Sequence, residues 1–539
     1  MWGGWQGSAL HPGKEELEIS PCTREKRNWK FRPAPGKRGV GNFTLHPGRG
    51  VGNFALHPVN KISIMLKTAE HLYLQIADKL EQLIAKDVLK TGDKLPSVRT
   101  MSEEQGVSMS TAFQAYYHLE GKGLIESRPK SGYYVIYCAR RLPEMPQTCE
   151  AVKKPAEVTV HEMISRLSLH STNEGLLKLS SAIPLANLLP TAKLTKAMVQ
   201  AMRNTIAAGL GYESAQGNAD LRRQIARMSI LWGGAISEED VITTSGCIDA
   251  LHLCLSAVTQ PGDTIAIESP AYFGSLQLAE SLGLKVLEVP THPATGVDLD
   301  YLDKAIPRFK IKACLFVTNF NNPLGACMPD SHKQELVRLL EKYDIPLIED
   351  DIYGDMYFGK ERPAVCKTFD KNGLVLLCSS FSKALAPGFR VGWTLPGRYK
   401  EKVLQLKRTR SIACASLPGA AIAHFLENDR YEHHLRNMRK TLHTQYLRHL
   451  QAITDYFPED ICVTRPQGGF VLWIELNKQI NTFELYNQAL KHKISFAPGR
   501  IFSLQERYDN CLRISYGNPW SKQVDDGLKT LGKLIKKKI

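Results

Sequence analysis

Apolar positions along the chain follow two periods, and the change from one to the other divides it. Between about residues 66 and 135 the spacing is helical. Tyr73, Ile76, Leu80 and Leu83 predict a first helix over roughly 68–88. Gly92 and Pro96 interrupt the pattern, and Ser97 is placed to cap a short second helix with Met101 on its inner face. Gly106 makes a turn, and a third helix is predicted over 108–122 with Ala112, Tyr116 and Leu119 inward. A hairpin-like segment follows over 123–135, with Lys130, Ser131 and Gly132 at its tip. Helix, turn, helix and wing, in that order, predict a winged helix-turn-helix.

From about Leu177 onward short apolar runs alternate with helical segments. The runs at 241–244, 264–268, 285–289, 313–317, 346–349 and 374–378 read as buried strands, and 249–259, 276–282 and 332–343 read as helices between them. That alternation predicts a mostly parallel sheet with helices on both faces. Stretches 398–408 and 431–456 are long and helical. The last hundred residues, with strands at 468–474 and 511–514 and a helix at 524–535, predict a smaller α+β domain. Residues 136–175 lie between the two patterns. Three prolines and mixed charge over 140–155 predict a flexible tether, with a short docking helix at 158–169.

Residues 1–64 show neither period. Gly, Pro and basic residues dominate, and R-G-V-G-N-F-T-L-H-P-G from Arg38 is repeated almost unchanged from Arg49. Two or three such copies are too few and too polar to stack into a solenoid. The stretch reads as a disordered leader, with a basic DNA-touching tail as the other reading, and Met65 is the expected initiator. Charge sharpens the division. The chain carries a net +15, but residues 1–64 hold ten Lys and Arg against four Glu, whereas 65–135 hold nine of each sign. The basic excess is therefore not a DNA-binding face of the winged helix.

Composition adds limits. At 539 residues, 43% hydrophobic and 23% charged, the chain is long enough for two to four globular units. No run of about 18 apolar residues is present, so no membrane span is expected. Twelve scattered Cys without a C-x-x-C pair predict free thiols and a cytoplasmic location, and no metal site is expected. The 16 His are dispersed, and His433–His434 are read as lying on a solvated helix face.

The stretch K-L-P-S-V-R-T-M-S-E-E-Q-G-V-S-M-S-T-A-F-Q-A-Y-Y-H-L-E-G-K-G-L-I-E-S-R-P-K-S-G-Y-Y-V closely resembles the DNA-binding domain of the GntR family. The resemblance implies contact with double-stranded DNA through Arg99, Ser108, Ser110, Thr111 and Lys130. Met109 departs from the pattern, standing where that family usually has Arg. Loss of a charged contact leaves only an apolar one, so modest affinity per head, and dependence on dimerisation, are expected.

Six motifs of the second half fall in the order expected of fold-type I aminotransferases, the pyridoxal 5′-phosphate (PLP) enzymes. S-G-C-I-D-A-L at Ser245 follows a strand and opens a helix whose N–H groups can cradle phosphate, with Gly246 and Cys247 as cofactor contacts. Tyr272 resembles the aromatic that stacks on the cofactor ring, and Asn322 in N-N-P-L-G resembles the residue that bonds its O3′ and helps to hold the substrate. I-E-D-D-I-Y-G-D places Asp350 by the ring nitrogen and Tyr353 by O3′; Asp351 is the neighbouring alternative, but D-x-x-Y spacing favours Asp350. In S-S-F-S-K-A-L-A-P-G-F-R-V-G-W, Lys383 is expected to form the Schiff base, while Ser380, Ser382 and Arg390 bind the phosphate. Arg513 in L-R-I-S-Y-G resembles the clamp on a substrate carboxylate, and Tyr212 a tyrosine that reaches the partner subunit's cofactor. Lys383, Asp350 and Tyr353 are the expected catalytic group. Two departures are Ala182, near a usual Gly, and Cys247–Ile248 in place of commoner small or polar residues.

A GntR-type winged helix fused to an aminotransferase-like domain resembles the MocR family of bacterial regulators. The resemblance spans about residues 66–535. It divides the chain into a leader at 1–64, a winged helix at 65–136, a linker at 137–175 and a PLP domain at 176–539. It implies a regulator that senses PLP or an amino compound through aldimine chemistry at Lys383, acting as a head-to-tail homodimer. The rival expectation is a working aminotransferase with a vestigial head, since its residue set is complete.

Overall fold

The computed structural model describes residues 59–539, except 129–130, 137–141, 153, 157–174, 185–187, 205–210, 429–430 and 539. The eleven-residue repeat, Lys130 at the wing tip and the expected docking helix at 158–169 lie outside the described residues.

The head opens with α1 (Val59–Ala85), which starts six residues ahead of the expected boundary at Met65. Ile76, Leu80 and Ile84 form its inner line, spaced four apart, and Leu83 faces outward instead. α2 (Val98–Glu104) and α3 (Met109–Gly121) begin where Ser97 and Ser108 cap them, each side-chain oxygen accepting from the N–H three residues on. β1 (Ile125–Arg128) and β2 (Gly132–Val135) pair antiparallel as the wing. Ala112, Tyr116 and Leu119 close the head's core, as their spacing predicts.

After β3 (Leu177–Lys178) comes the large sheet. Its strands are β4 (Ile242–Thr244), β5 (Thr264–Ser269), β6 (Lys285–His292), β7 (Gly296–Val297), β8 (Ile311–Phe316), β9 (Leu347–Asp350), β10 (Val375–Ser380) and β11 (Gly392–Leu395), in the order β4-β11-β10-β9-β8-β5-β6-β7. β10, β9, β8, β5 and β6 are mutually parallel, and their continuous apolar runs follow from burial on both faces. β11, hidden in sequence by its Gly and Pro neighbours, runs antiparallel between β4 and β10. The small domain is the antiparallel sheet of β12 (Cys462–Val463), β13 (Val471–Glu475), β15 (Ala497–Pro498) and β16 (Cys511–Ser515), with β14 (Ile494–Ser495) pairing in parallel with β3.

The linker corrects one expectation. Its described part lies along the body instead of hanging loose. Glu144 bridges to Cys462 and Ala156 to Val286, while Tyr301 donates to the Val152 carbonyl at 2.7 Å. The head is held as well. The long helix Tyr431–Tyr456 presents Lys440, His443 and Leu447 to it, spaced three and four apart and so on one face, with Arg448 at the edge of that face. Lys440 pairs with Glu120 at 3.0 Å, Arg448 pairs with Glu126, and His443 Nδ1 lies 3.2 Å from the Gly121 carbonyl oxygen. Gly123 has φ +68°, and a Cβ there would stand 2.2 Å from a Leu447 methyl, so any other residue would strain the backbone and push that side chain aside.

The ten Cys among the described residues are free thiols. No helix among the described residues is long and apolar enough to cross a membrane.

Candidate active site

Parallel strands end at a common edge, and the chemistry-bearing residues gather there. β9 ends on Asp350, and β10 runs out at Ser380 into the turn that carries Lys383. β4 leads through Ser245 and Gly246 into the helix Cys247–Val258.

That helix start is built for an anion. Gly246 caps it at φ +95° without any side-chain bond, and the first intrahelical bond is Ala250 N to Gly246 O. The N–H groups ahead of it have no partner within the helix. Asp249 satisfies only the Ser245 N–H, at 2.9 Å. Arg390 lies over the opening, with Nη2 donating to the Ser245 carbonyl at 3.3 Å and Nη1 to Ser382 Oγ at 3.4 Å. A Cβ on Gly246 would stand 2.4 Å from the Arg390 guanidinium, so the glycine makes room for the cradle. Ser380 and Ser382 are buried beside it.

Lys383 Nζ donates to the Ala182 carbonyl at 2.7 Å and stands 5.8 Å from the centre of the Tyr353 ring. Burial, with the Arg513 charge adding to it, lowers its pKa to about 8. Asp350 accepts on Oδ1 from Cys247 Sγ at 3.3 Å and from the Ile352 N–H at 3.0 Å. Burial raises its carboxyl to about 6, against the pull of those two hydrogen bonds. Asp351 takes no part, being tied to Arg362 and, at 2.9 Å, to Asn319. Tyr353, whose pKa burial raises, shares a side-chain hydrogen bond with Asn322 and lies within the fields of Tyr272 and Arg513.

Arg513 is 3% exposed. It donates through Nη1 to Asn322 Oδ1 at 2.9 Å and through Nη2 to the Ser180 carbonyl, while Nε is buried with no partner. Burial lowers its pKa to about 10. A buried guanidinium with an idle donor, beside an aromatic and an amide, is suited to pair with a carboxylate.

The expected residues Gly246, Cys247, Tyr272, Asn322, Asp350, Tyr353, Ser380, Ser382, Lys383, Arg390 and Arg513 thus meet at one edge. Tyr212 does not join them; it is 86% exposed in a loop ahead of the helix Ala219–Met228. Sequence reasoning missed three neighbours. The carbonyls of Ser180 and Ala182 hold the two cations, a role no side-chain motif announces. His434, expected on a solvated face, is instead half-buried, with Nε2 2.7 Å from the carbonyl oxygen of Ala384, next to Lys383. Among the described residues no cluster of His, Cys, Asp or Glu is arranged to hold a metal.

Of the residues expected to read DNA, Arg99, Ser108 and Ser110 are exposed and Thr111 is half-buried. Arg99 pairs only with Glu103, at 3.0 Å, both side chains well exposed. Ser108 Oγ bonds Ser110 Oγ and Thr111 Oγ1, each at 2.8 Å, at the start of α3. Met109, Phe113 and Tyr117 form an exposed apolar stripe, four residues apart, along the outer side of that helix.

Comparison with known proteins matches residues 72–135 to bacterial regulatory proteins of the gntR family and residues 175–531 to aminotransferase class I and II. The uncharacterized HTH-type transcriptional regulator YjiR of Escherichia coli is 38% identical over 467 residues, 86% of this chain and 98% of its own. Among solved structures, the kynurenine aminotransferase of Pyrococcus horikoshii, in complex with PMP, aligns with a TM-score of 0.66 at 25% identity, covering 71% of this chain and 96% of its own. LysN, the alpha-aminoadipate aminotransferase of Thermus thermophilus, complexed with N-(5′-phosphopyridoxyl)-L-leucine, aligns with a TM-score of 0.65 at 26% identity, covering 70% and 96%.

Proposed function

The chain belongs to the MocR family, in which a GntR-type winged helix is fused to a class I and II aminotransferase domain, and from that premise we propose that it is a PLP-dependent DNA-binding transcriptional regulator. The observation that carries this reading is the long helix Tyr431–Tyr456. It holds the head through Lys440, His443 and Arg448, and its His443 ring stacks 4.8 Å from Phe358, five residues beyond Tyr353 of the candidate site.

The residues present fit PLP. The open helix start with Arg390, Ser380 and Ser382 suits its phosphate, Asp350 its ring nitrogen, and Asn322 and Tyr353 its O3′. When bound, PLP supplies an aldehyde and an electron-accepting ring. Lys383 contributes a desolvated amine that can pass a proton to and from a bound ligand. Arg513 orients a carboxylate, which can take the idle Nε and share Nη2 with the Ser180 carbonyl. An amino acid that does so changes the packing beneath the head, and its preference for one state shifts DNA affinity.

On the DNA side, Arg99 exchanges a weak exposed pair with Glu103 for a phosphate, and Met109 and Phe113 offer apolar contact to thymine methyls. The test is a titration of the PLP-loaded chain on the DNA upstream of its own gene, at several stated salt concentrations. Arg99→Ala is expected to weaken binding about tenfold and to lower the salt slope by about one. No selective binding at micromolar protein would sink the regulator reading.

A homodimer is part of the proposal, with the exposed Tyr212 reaching the second copy's site. Mixed dimers of Lys383→Ala and Tyr212→Phe chains regain one intact site if the tyrosine acts across the interface. If it acts within its own chain they regain none.

The idle Arg513 Nε supports a second reading, a working aminotransferase. Keto-acid production from a panel of amino donors, without selective DNA binding, would favour it.

A further inference from the structure

Cys247 is the residue of the site whose presence the cofactor reading leaves unexplained. It is the first residue of the helix whose start forms the phosphate cradle, and its side chain bonds to Asp350. Its Sγ lies 3.3 Å from Asp350 Oδ1, with both residues buried. The strand ends that carry them are not neighbours. β4 and β9 are separated by β11 and β10, so the contact spans the sheet edge under the candidate cofactor position.

Both hydrogen bonds to Asp350 arrive on the same oxygen. Oδ1 accepts from Cys247 Sγ and, at 3.0 Å, from the Ile352 N–H, while Oδ2 accepts from nothing among the described residues. A carboxylate held by one oxygen has its other oxygen aimed and free. Loss of either donor gives it rotational freedom about its Cβ–Cγ bond, a torsion that is broad by nature. The Ile352 bond alone fixes one point. The thiol supplies the second, from the opposite side of the site.

We infer that Cys247 is a positioning residue for Asp350, its S–H holding Oδ1 so that Oδ2 is the free oxygen that pairs with a protonated ring nitrogen. This rests on the cofactor reading above. The chemistry suits the task. At neutral pH the buried thiol keeps its proton, because burial and the Asp350 charge both raise its pKa, so it acts as donor and not as a second anion. A thiol is also a weak donor. It orients the carboxylate while drawing off less of its basicity than a hydroxyl would, and that basicity is what keeps a ring nitrogen protonated. One small residue thereby links the phosphate cradle to the ring-nitrogen acid, and a shift of the helix start is felt at Asp350.

The test uses the full chain and two readouts. The S–H stretching band of Cys247, identified by its loss in Cys247→Ala, is expected at the lowered frequency of a bonded thiol in apo protein. Asp350→Asn is expected to move it. Equilibrium dialysis of PLP is expected to show about tenfold weaker binding for Cys247→Ala. Cys247→Ser, which restores a donor, is expected to bind within about twofold of the parent and to respond at a lower pH, because a stronger donor lowers the Asp350 pKa. A band at the frequency of an unbonded thiol overturns the inference whatever PLP does. So does equal, undiminished binding by the Ala and Ser variants, which would make Cys247 a space-filler. If the parent chain binds no PLP, the cofactor reading itself fails, and the infrared band in apo protein alone decides whether the thiol holds Asp350.

Discussion

A Lys383→Ala chain is expected to lose all borohydride-trappable PLP while keeping its fold. The side chain is a buried aliphatic stem ending in one hydrogen bond to a backbone carbonyl, so its removal leaves a carbonyl short of a donor and little else. Its chemical role is larger. With its pKa lowered to about 8, roughly a quarter of the amine is neutral near pH 7.5, against about one part in a thousand for an ordinary lysine. Capture of PLP by the parent chain should therefore rise with pH and level off above about 8, not above 10.5. The same shift has a stability sign. Between about 8 and 10.5 the unfolded chain binds the extra proton, so this group favours folding more as pH rises through that window. The phosphate cradle is untouched by the substitution, so PLP still binds, without covalent attachment and at least about a hundredfold more weakly, as expected for loss of a covalent anchor. Borohydride reduction followed by mass analysis of the peptide carrying residue 383 checks this. Label persisting in the Ala chain at any other lysine would remove Lys383 from its assigned place.

Much of this was legible in the sequence because the signals were local. The helix at 431–456 was bounded to the residue, since its apolar positions keep helical spacing for seven turns. Ser97 and Ser108 declared themselves as caps by residue type alone. Six strands of the large sheet were found from runs of apolar residues that burial on two faces requires. β11 was not, because the Pro387–Gly388 turn and Gly392 interrupt its apolar run. Its identity is a long-range fact: a Cβ on Gly392 would stand 2.5 Å from the backbone of Gly246, the cap of the cradle helix, so strand and helix start meet there glycine to glycine. The site divides in the same way. The side chains that the motifs single out gather at one edge, Tyr212 excepted. What holds those side chains was invisible, because it consists of backbone carbonyls at Ser180 and Ala182 and of partners far off in sequence. His434 was misplaced on the solvent side for that reason. Helical spacing puts it one position from exposed His433, and only the fold brings the Ala384 carbonyl over it.

Arg362 is the strongest case of a residue that no motif marks, and its loss should be the costliest single change in the body. Its guanidinium, 7% exposed, pairs through Nη2 with Asp351 and through Nε with Asp355 at 2.8 Å. Asp351 is 1% exposed and Asp355 21%. Burial disfavours the charge on Arg362, but the two carboxylates outweigh it and raise its pKa. Arg362→Met keeps the volume and removes the cation, leaving two carboxylates with no counter-charge in a poorly hydrated site. Breaking a buried pair from one side typically costs about 3–5 kcal/mol. Asp351 also adjoins Asp350, whose pKa it helps to raise, so the unpaired charge should push Asp350 further toward its neutral form. PLP affinity should then fall together with stability. A second change separates the two causes. Asp351→Asn beside Arg362→Met removes one orphaned charge and should recover a good part of both losses, a non-additivity expected of residues in one network. Urea unfolding of the PLP-free chains and dialysis of PLP measure the two effects. A cost below about 1 kcal/mol for Arg362→Met would mean that water reaches the carboxylates and that the pair is a surface one in all but position.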